Sequence, residues 1–148
     1  MERRKFLGLS LAAVALVPAS LSAIDFRETK PDAWTAKTVD DAIKALYGDI
    51  KPEESGIKLN VPKIASNGGA VPVKVKSDIA MKSLTILQDA NPEAAVATYT
   101  LTEDSIVDLS VKIKMGKSGS ITIIGEGQDG KFYKASKKLE VALGGCEG

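Results

Sequence analysis

Cys146 is the residue whose chemistry stands out, because it is the only cysteine in a chain that has no histidine. Without histidine, Ser-His and Cys-His nucleophilic pairs are excluded, and the commonest general base is missing. One cysteine and no histidine also argue against a zinc, copper or haem site. The acid pairs Glu53-Glu54, Asp40-Asp41 and Glu103-Asp104 are adjacent in sequence. Such pairs read as solvated surface or helix-end charge and not as a spaced general acid and base. The chemistry left is that of a thiol: nucleophilic attack, disulfide formation or sulfur transfer.

The surroundings of the thiol narrow this further. It lies in Gly144-Gly145-Cys146-Glu147-Gly148. Gly144, Gly145 and Gly148 give a slender arm, free in φ and ψ, that can thread a narrow channel. From Leu143, taken as the last residue held by a strand, Cys146 can stand about 10 Å beyond the domain. A free thiol has a pKa of about 8.5, so only about a few per cent is thiolate at neutral pH. Glu147 next to it disfavours the thiolate further, by at most about 1 kcal/mol in water. A thiol of this kind is activated inside a partner's pocket, which predicts a carrier rather than a catalyst. Two other readings stay open on residue chemistry: an intermolecular disulfide that tethers a dimer, and a chain end without a role.

Positioning such a thiol requires a scaffold and an address. Arg3-Arg4-Lys5-Phe6-Leu7 has the form of a twin-arginine start, followed by an apolar run from Leu7 to Val17. Pro18-Ala19-Ser20-Leu21-Ser22-Ala23 supplies small residues for a signal peptidase, with cleavage expected after Ala23. The apolar run is well short of the roughly 20 residues that span a bilayer. Residues 1–23 therefore read as a twin-arginine signal peptide, favoured by Arg-Arg-x-Phe-Leu over the rival reading of a general secretion signal that contains Arg-Arg, and the product as periplasmic, with no membrane contact after cleavage. Cleavage removes Glu2 with Arg3, Arg4 and Lys5, taking the net charge from +1 to −1. Neither value suits nucleic acid, which requires a concentrated basic surface. Outside the cytoplasm an unpaired thiol is exposed to oxidation, so it must be free, paired between chains or modified.

The expected scaffold is one domain over residues 24–143, with the arm at 144–148. At 148 residues, 44% hydrophobic and 26% charged, the chain can bury a core without staples. Thr38 followed by Asp41 predicts a helix start, and Val39, Ile43, Leu46 and Tyr47 mark one apolar face. Gly48 is the expected stop. Trp34, just before, is expected to pack under this helix, with ligand stacking as a second reading. Beyond Pro52 the period falls to two: Ile57, Leu59, Val61; then Val71, Val73, Val75; then Val107, Leu109, Val111, Ile113. Apolar stretches at Met81–Leu87, Tyr99–Leu101, Ile121–Ile124 and Phe132–Leu143 complete the strands. Asn67-Gly68-Gly69, Asn91-Pro92, Gly116 to Gly119 and Gln128-Asp129-Gly130 punctuate them as turns. Pro62 and Pro72 are expected at strand ends or edges. Lys131, Lys134, Lys137 and Lys138 crowd the last strand, as a solvated face or as a docking surface for an acidic partner. The fold class is all-β: a small immunoglobulin-like antiparallel β-sandwich with one N-terminal helix and a flexible C-terminal arm.

Three features together resemble one family, SoxY, the sulfur-carrying half of the SoxYZ complex of thiosulfate oxidation. They are the twin-arginine signal, the stretch Val61-Pro62-Lys63-Ile64-Ala65-Ser66-Asn67-Gly68-Gly69-Ala70-Val71-Pro72-Val73, and the terminal Gly144-Gly145-Cys146-Glu147-Gly148. Ser66 stands where the family has glutamate, and Glu147 where it has glycine. The resemblance implies a heterodimer with a SoxZ-like subunit and sulfur intermediates carried on Cys146, first as an S-thiosulfonate and then as persulfide species. It implies transient partners: the c-type cytochrome SoxXA, the hydrolase SoxB and, in some organisms, a sulfur dehydrogenase. It implies no cofactor beyond the covalent sulfur, and no catalysis by the chain itself.

Overall fold

A computed structural model describes residues 24–142 of the chain. Residues 1–23 and 143–148 lie outside it, so the signal peptide and the arm residues Gly144, Gly145, Cys146, Glu147 and Gly148 are expectations that it does not reach.

The helical part is larger than the one helix expected. Two short turns, α1 (Phe26–Thr29) and α2 (Pro31–Thr35), precede α3 (Val39–Tyr47). Asp25 caps α1 by accepting the Arg27 N–H at 2.8 Å, and Pro31 opens α2 where its missing N–H costs nothing. In α3 the predicted cap is present: Thr38 Oγ1 accepts the Asp41 N–H at 3.1 Å and donates to Asp41 Oδ2 at 2.7 Å. Gly48 ends the helix at φ 77°, a conformation glycine adopts without a Cβ penalty. Among the described residues, no helix is long and apolar enough to cross a membrane.

The strands are β1 (Lys58–Asn60), β2 (Ile64–Ala65), β3 (Val71–Ser77), β4 (Met81–Gln88), β5 (Ala95–Thr100), β6 (Val107–Ile113), β7 (Gly119–Gly127) and β8 (Phe132–Val141). They form two sheets, of order β1-β3-β6 and β2-β8-β7-β4-β5. The long ladders are antiparallel, as in β3 on β6 from Val71 opposite Ile113 to Ser77 opposite Val107. Pro62 lies between β1 and β2. Pro72 lies opposite Lys112 where β1, which reaches only Lys74–Lys76, leaves β3 with one neighbour. One pairing departs from the antiparallel expectation: β2 runs parallel to the end of β8, with Ile64 opposite Glu140 and Ala65 opposite Val141.

The core lies between the sheets. Val71, Val73 and Val75 of β3 face Leu84 and Ile86 of β4 and Ile121 and Ile123 of β7, all buried. Strict alternation in β3 puts Lys74 and Lys76 in solvent, as the period of two requires. β4 does not alternate, because its other face is covered by α3. There Leu87 and Ile124 pack with Ala42, Val39, Ile43, Tyr47 and Phe132 in a second cluster. The buried hydroxyls of that face are satisfied: Tyr47 Oη lies 2.9 Å from Ser83 Oγ and 2.8 Å from Thr85 Oγ1. Burial pushes the Tyr47 phenol up, against the opposing effect of those two hydrogen bonds. Trp34 faces β5, lining a cleft with Val96, Ala97 and Thr98, and the Arg27 guanidinium sits 4.5 Å from its ring centroid.

Candidate functional site at the end of β8

β8 is the strand that delivers the chain to Cys146, and its last residues are held on both edges. The ladder with β7 closes at Gly119 opposite Leu139. Beyond it, Glu140 N–H donates to Lys63 O at 2.9 Å and Ala142 N–H to Ala65 O at 2.9 Å. Between them, Val141 N–H donates to Ser118 Oγ at 2.9 Å. Three consecutive donors are thus satisfied, by two different neighbours, up to the last described residue. Leu139, 3% exposed, anchors the same stretch in the core.

The segment that grips β8 is Lys63-Ile64-Ala65, in the first half of the stretch that carries the family resemblance. The residues after it hold it in place. Asn67 Oδ1 accepts Gly69 N–H at 2.8 Å in a 3-10 turn, and Gly68 O accepts Met115 N–H at 2.8 Å. The turn expected at Asn67-Gly68-Gly69 is therefore a fixture that ties β2 to the loop after β6.

A second set of loops closes this end of the sandwich. Gln88, fully buried, accepts the N–H groups of Ala90 at 2.6 Å and Asn91 at 2.7 Å through one side-chain oxygen. Asn91 then bridges to the facing loop, donating to Lys114 O at 2.7 Å and accepting Gly116 N–H at 2.8 Å. Asp89 Oδ1 accepts Ser120 N–H at 2.6 Å. At Gly119 a Cβ would collide with the Asp89 carboxylate and meet the Ala90 Cβ at 3.0 Å, so any side chain there must displace Asp89 from its bond to Ser120.

These segments line a cleft of about 440 Å³ beside the strand end, with Lys63, Asp89, Ser118, Ser120, Lys138 and Glu140 at its wall. Of the lysines expected to crowd the last strand, only Lys138 belongs to it. Lys131 lies in the turn before β8, 3.6 Å from Glu53. Alternation puts Lys134 and Lys138 on one face of β8 and Lys137 on the other, so the four make no single patch. The remaining cleft residues escaped sequence reasoning, since they come from four separate segments. Among the described residues, no three Asp, Glu, His or Cys side chains gather where they could hold a metal ion.

The fold and the strand end define a class: an immunoglobulin-like β-sandwich whose last strand, held on both edges as far as Ala142, leaves four residue steps to a lone cysteine. The model of the family described as sulfur oxidation protein SoxY matches residues 43–146, and the chain belongs to that family. A solved structure of the sulfur carrier protein SoxY from Chlorobium limicola f thiosulfatophilum is 29% identical, with TM-score 0.63. That match covers 71% of this chain and 96% of that one. A superoxide reductase (neelaredoxin) from Ignicoccus hospitalis matches at 15% identity and TM-score 0.53, over 60% of this chain and 81% of that one. A putative superoxide reductase from Thermotoga maritima matches at 14% and 0.51, over 63% and 94%. These last two show a shared fold alone. Among curated proteins, no significant relative is found.

Proposed function

We propose that this chain is a periplasmic carrier of sulfur intermediates in thiosulfate oxidation, holding them covalently on Cys146. The observation that carries the reading is the end of β8: a rigid strand, pinned on both edges up to Ala142, with the thiol four residues further on. The family match extends through that same cysteine. A carrier needs this combination, a fixed base and a short reach, so that the sulfur enters a partner's site while the domain stays outside it.

Loading joins the Cys146 sulfur to the outer sulfur of thiosulfate. The thiol proton goes to solvent and two electrons go to an oxidant, here a c-type cytochrome such as SoxXA. The product is a cysteine S-thiosulfonate. Hydrolysis by a partner such as SoxB adds water across the bond to the sulfonate, releases sulfate and protons, and leaves a persulfide on Cys146. A sulfur dehydrogenase can act on that persulfide. In this reading the chain supplies a substrate platform in a heterodimer with a SoxZ-like subunit, requires no cofactor, and reaches the periplasm by the twin-arginine route.

Intact mass spectrometry of the exported protein from thiosulfate-grown cells tests this. The expected result is a reductant-labile adduct of sulfur or sulfonate mass that maps to Cys146. Only unmodified thiol, or a disulfide-linked homodimer, would overturn it.

A further inference from the structure

Each sheet ends in two edge strands, and three of the four are short or charged. β1 is three residues long and begins at Lys58, β2 is two residues long, and β6 carries Asp108 and Lys112. β5 is the exception, with six residues from Ala95 to Thr100 and neither a charge nor a proline among them. An edge of that kind is a template for a further strand unless something blunts it. Its one irregularity, the extra residue Val96, lies near the start. Beyond it the ladder is regular. Leu101 N–H donates to Lys82 O at 2.8 Å, so alternation turns Tyr99 towards β4 and the N–H and C=O of Thr98 and Thr100 outwards. Among the described residues, no hydrogen bond reaches those outward groups.

Beside this edge lies the cleft of about 500 Å³ between α1, Trp34 and the β5 residues Val96, Ala97 and Thr98. Just before β5, Ala94 N–H donates to Ala36 O at 2.9 Å, and the helical segments make no backbone bond to the edge further along. Two groups in the cleft wall are unmatched. The Arg27 guanidinium rests on the Trp34 ring and makes no ion pair among the described residues. The Trp34 indole N–H is buried and has no acceptor there. We propose that the cleft takes an extended segment of a partner protein as an added strand on β5, with a carboxylate of that segment set against Arg27. Strand addition draws its affinity from main-chain bonds, here to Thr98 and Thr100, and its specificity from alternate side chains. Apolar side chains on one face of the segment meet Phe26 and Trp34. The strand order puts three spacings, about 14 Å, between β5 and β8. A partner held on β5 leaves the end of β8 uncovered, so the inference goes beyond the carrier reading and does not depend on it.

Trp34 is the only tryptophan of the chain, so its emission reports on the cleft. The probe is a capped hexapeptide of alternating threonine and valine, with one threonine replaced by glutamate, added to the purified exported protein. Binding should shift the emission saturably. At about ten times the dissociation constant the peptide should slow exchange of the Thr98 and Thr100 amides about tenfold and leave that of Tyr99 unchanged. Methylating every second peptide amide should abolish binding in one frame and spare it in the other, because only alternate amides face β5. Arg27→Gln should weaken the glutamate peptide about two- to fivefold and leave its glutamine counterpart unmoved. No binding at about 1 mM, binding in both methylated frames, or an emission shift without slowed exchange at Thr98 would overturn the proposal. So would protection of Thr98 that rises with protein concentration alone, which would assign the edge to a second copy of the chain. No sulfur load enters this experiment, so its failure leaves the carrier reading standing, and the failure of that reading leaves this one untouched.

Discussion

The two ends of β8 are held by the same device but use their charges differently. At the start, Glu53 bridges to the outer edge, donating its N–H to Phe132 O at 2.8 Å and accepting Lys134 N–H at 2.8 Å. At the finish, the Lys63-Ile64-Ala65 segment holds the same edge, Lys63 O accepting the Glu140 N–H and Ala65 O the Ala142 N–H. The side chains around the start are paired: Lys131 with Glu53, and Asp129 Oδ2 with the Tyr133 hydroxyl at 2.7 Å. Around the finish, Lys63 and Lys138 have no such pairing among the described residues, although a cleft gathers them. The start is a closed structural turn. The finish has equal backbone restraint with charge left available, which is what a base for a working segment requires.

The comparison can be broken at several points. Leu139→Ala empties the core beneath the finish and should cost about 2–5 kcal/mol, measured by urea unfolding. A loss below about 1 kcal/mol would mean that the core does not anchor this end. Gly119→Val drives a side chain into Asp89 and Ala90 and should cost about 1–3 kcal/mol. Its thermal midpoint should fall, and the amide of Ser120 should lose protection from hydrogen exchange. Ser118→Ala removes one acceptor and should cost about 1 kcal/mol, speeding exchange at Val141 about fivefold while Lys134 at the start is unaffected.

The smallest effect belongs to the start. The hydrogen bond from Tyr133 holds Asp129 below the usual carboxylate range, and the same bond pushes Tyr133 up to about 12. The Asp129 contribution is present above the ordinary carboxylate pKa and is lost as pH falls through the lowered value. The Tyr133 contribution is complete below pH 10.0 and is lost as pH rises to about 12. Tyr133→Phe should flatten both limbs of the stability profile without changing the finish. A profile identical to that of the parent chain would show that the pair contributes nothing to folding.

Much of the scaffold could be read from local pattern. α3 was legible because Thr38, Asp41 and Gly48 mark its ends and one apolar face recurs along it. β3 and β6 were legible because one face meets the core and the other meets water. β4 was legible only as an apolar stretch, since α3 covers its second face and erases the alternation. The α1 and α2 turns are too short to establish a period. β2, two residues long, has no local signature, and its parallel pairing with β8 spans 76 residues of sequence from Ile64 to Glu140. The cleft was illegible for the same reason, since Lys63, Asp89, Ser118 and Lys138 meet only once the sheet has formed. Of the proposed carrier site, the sequence could show the thiol and its neighbours, and the structure adds the strand end that precedes them.

The most direct measurement is the mass of the protein after incubation with thiosulfate and its cognate c-type cytochrome, compared with Cys146→Ser. The account predicts an added thiosulfate mass on the parent chain, removed by reductant, and none on the variant. An adduct that persists in Cys146→Ser, or its absence from the parent chain under turnover, would contradict it.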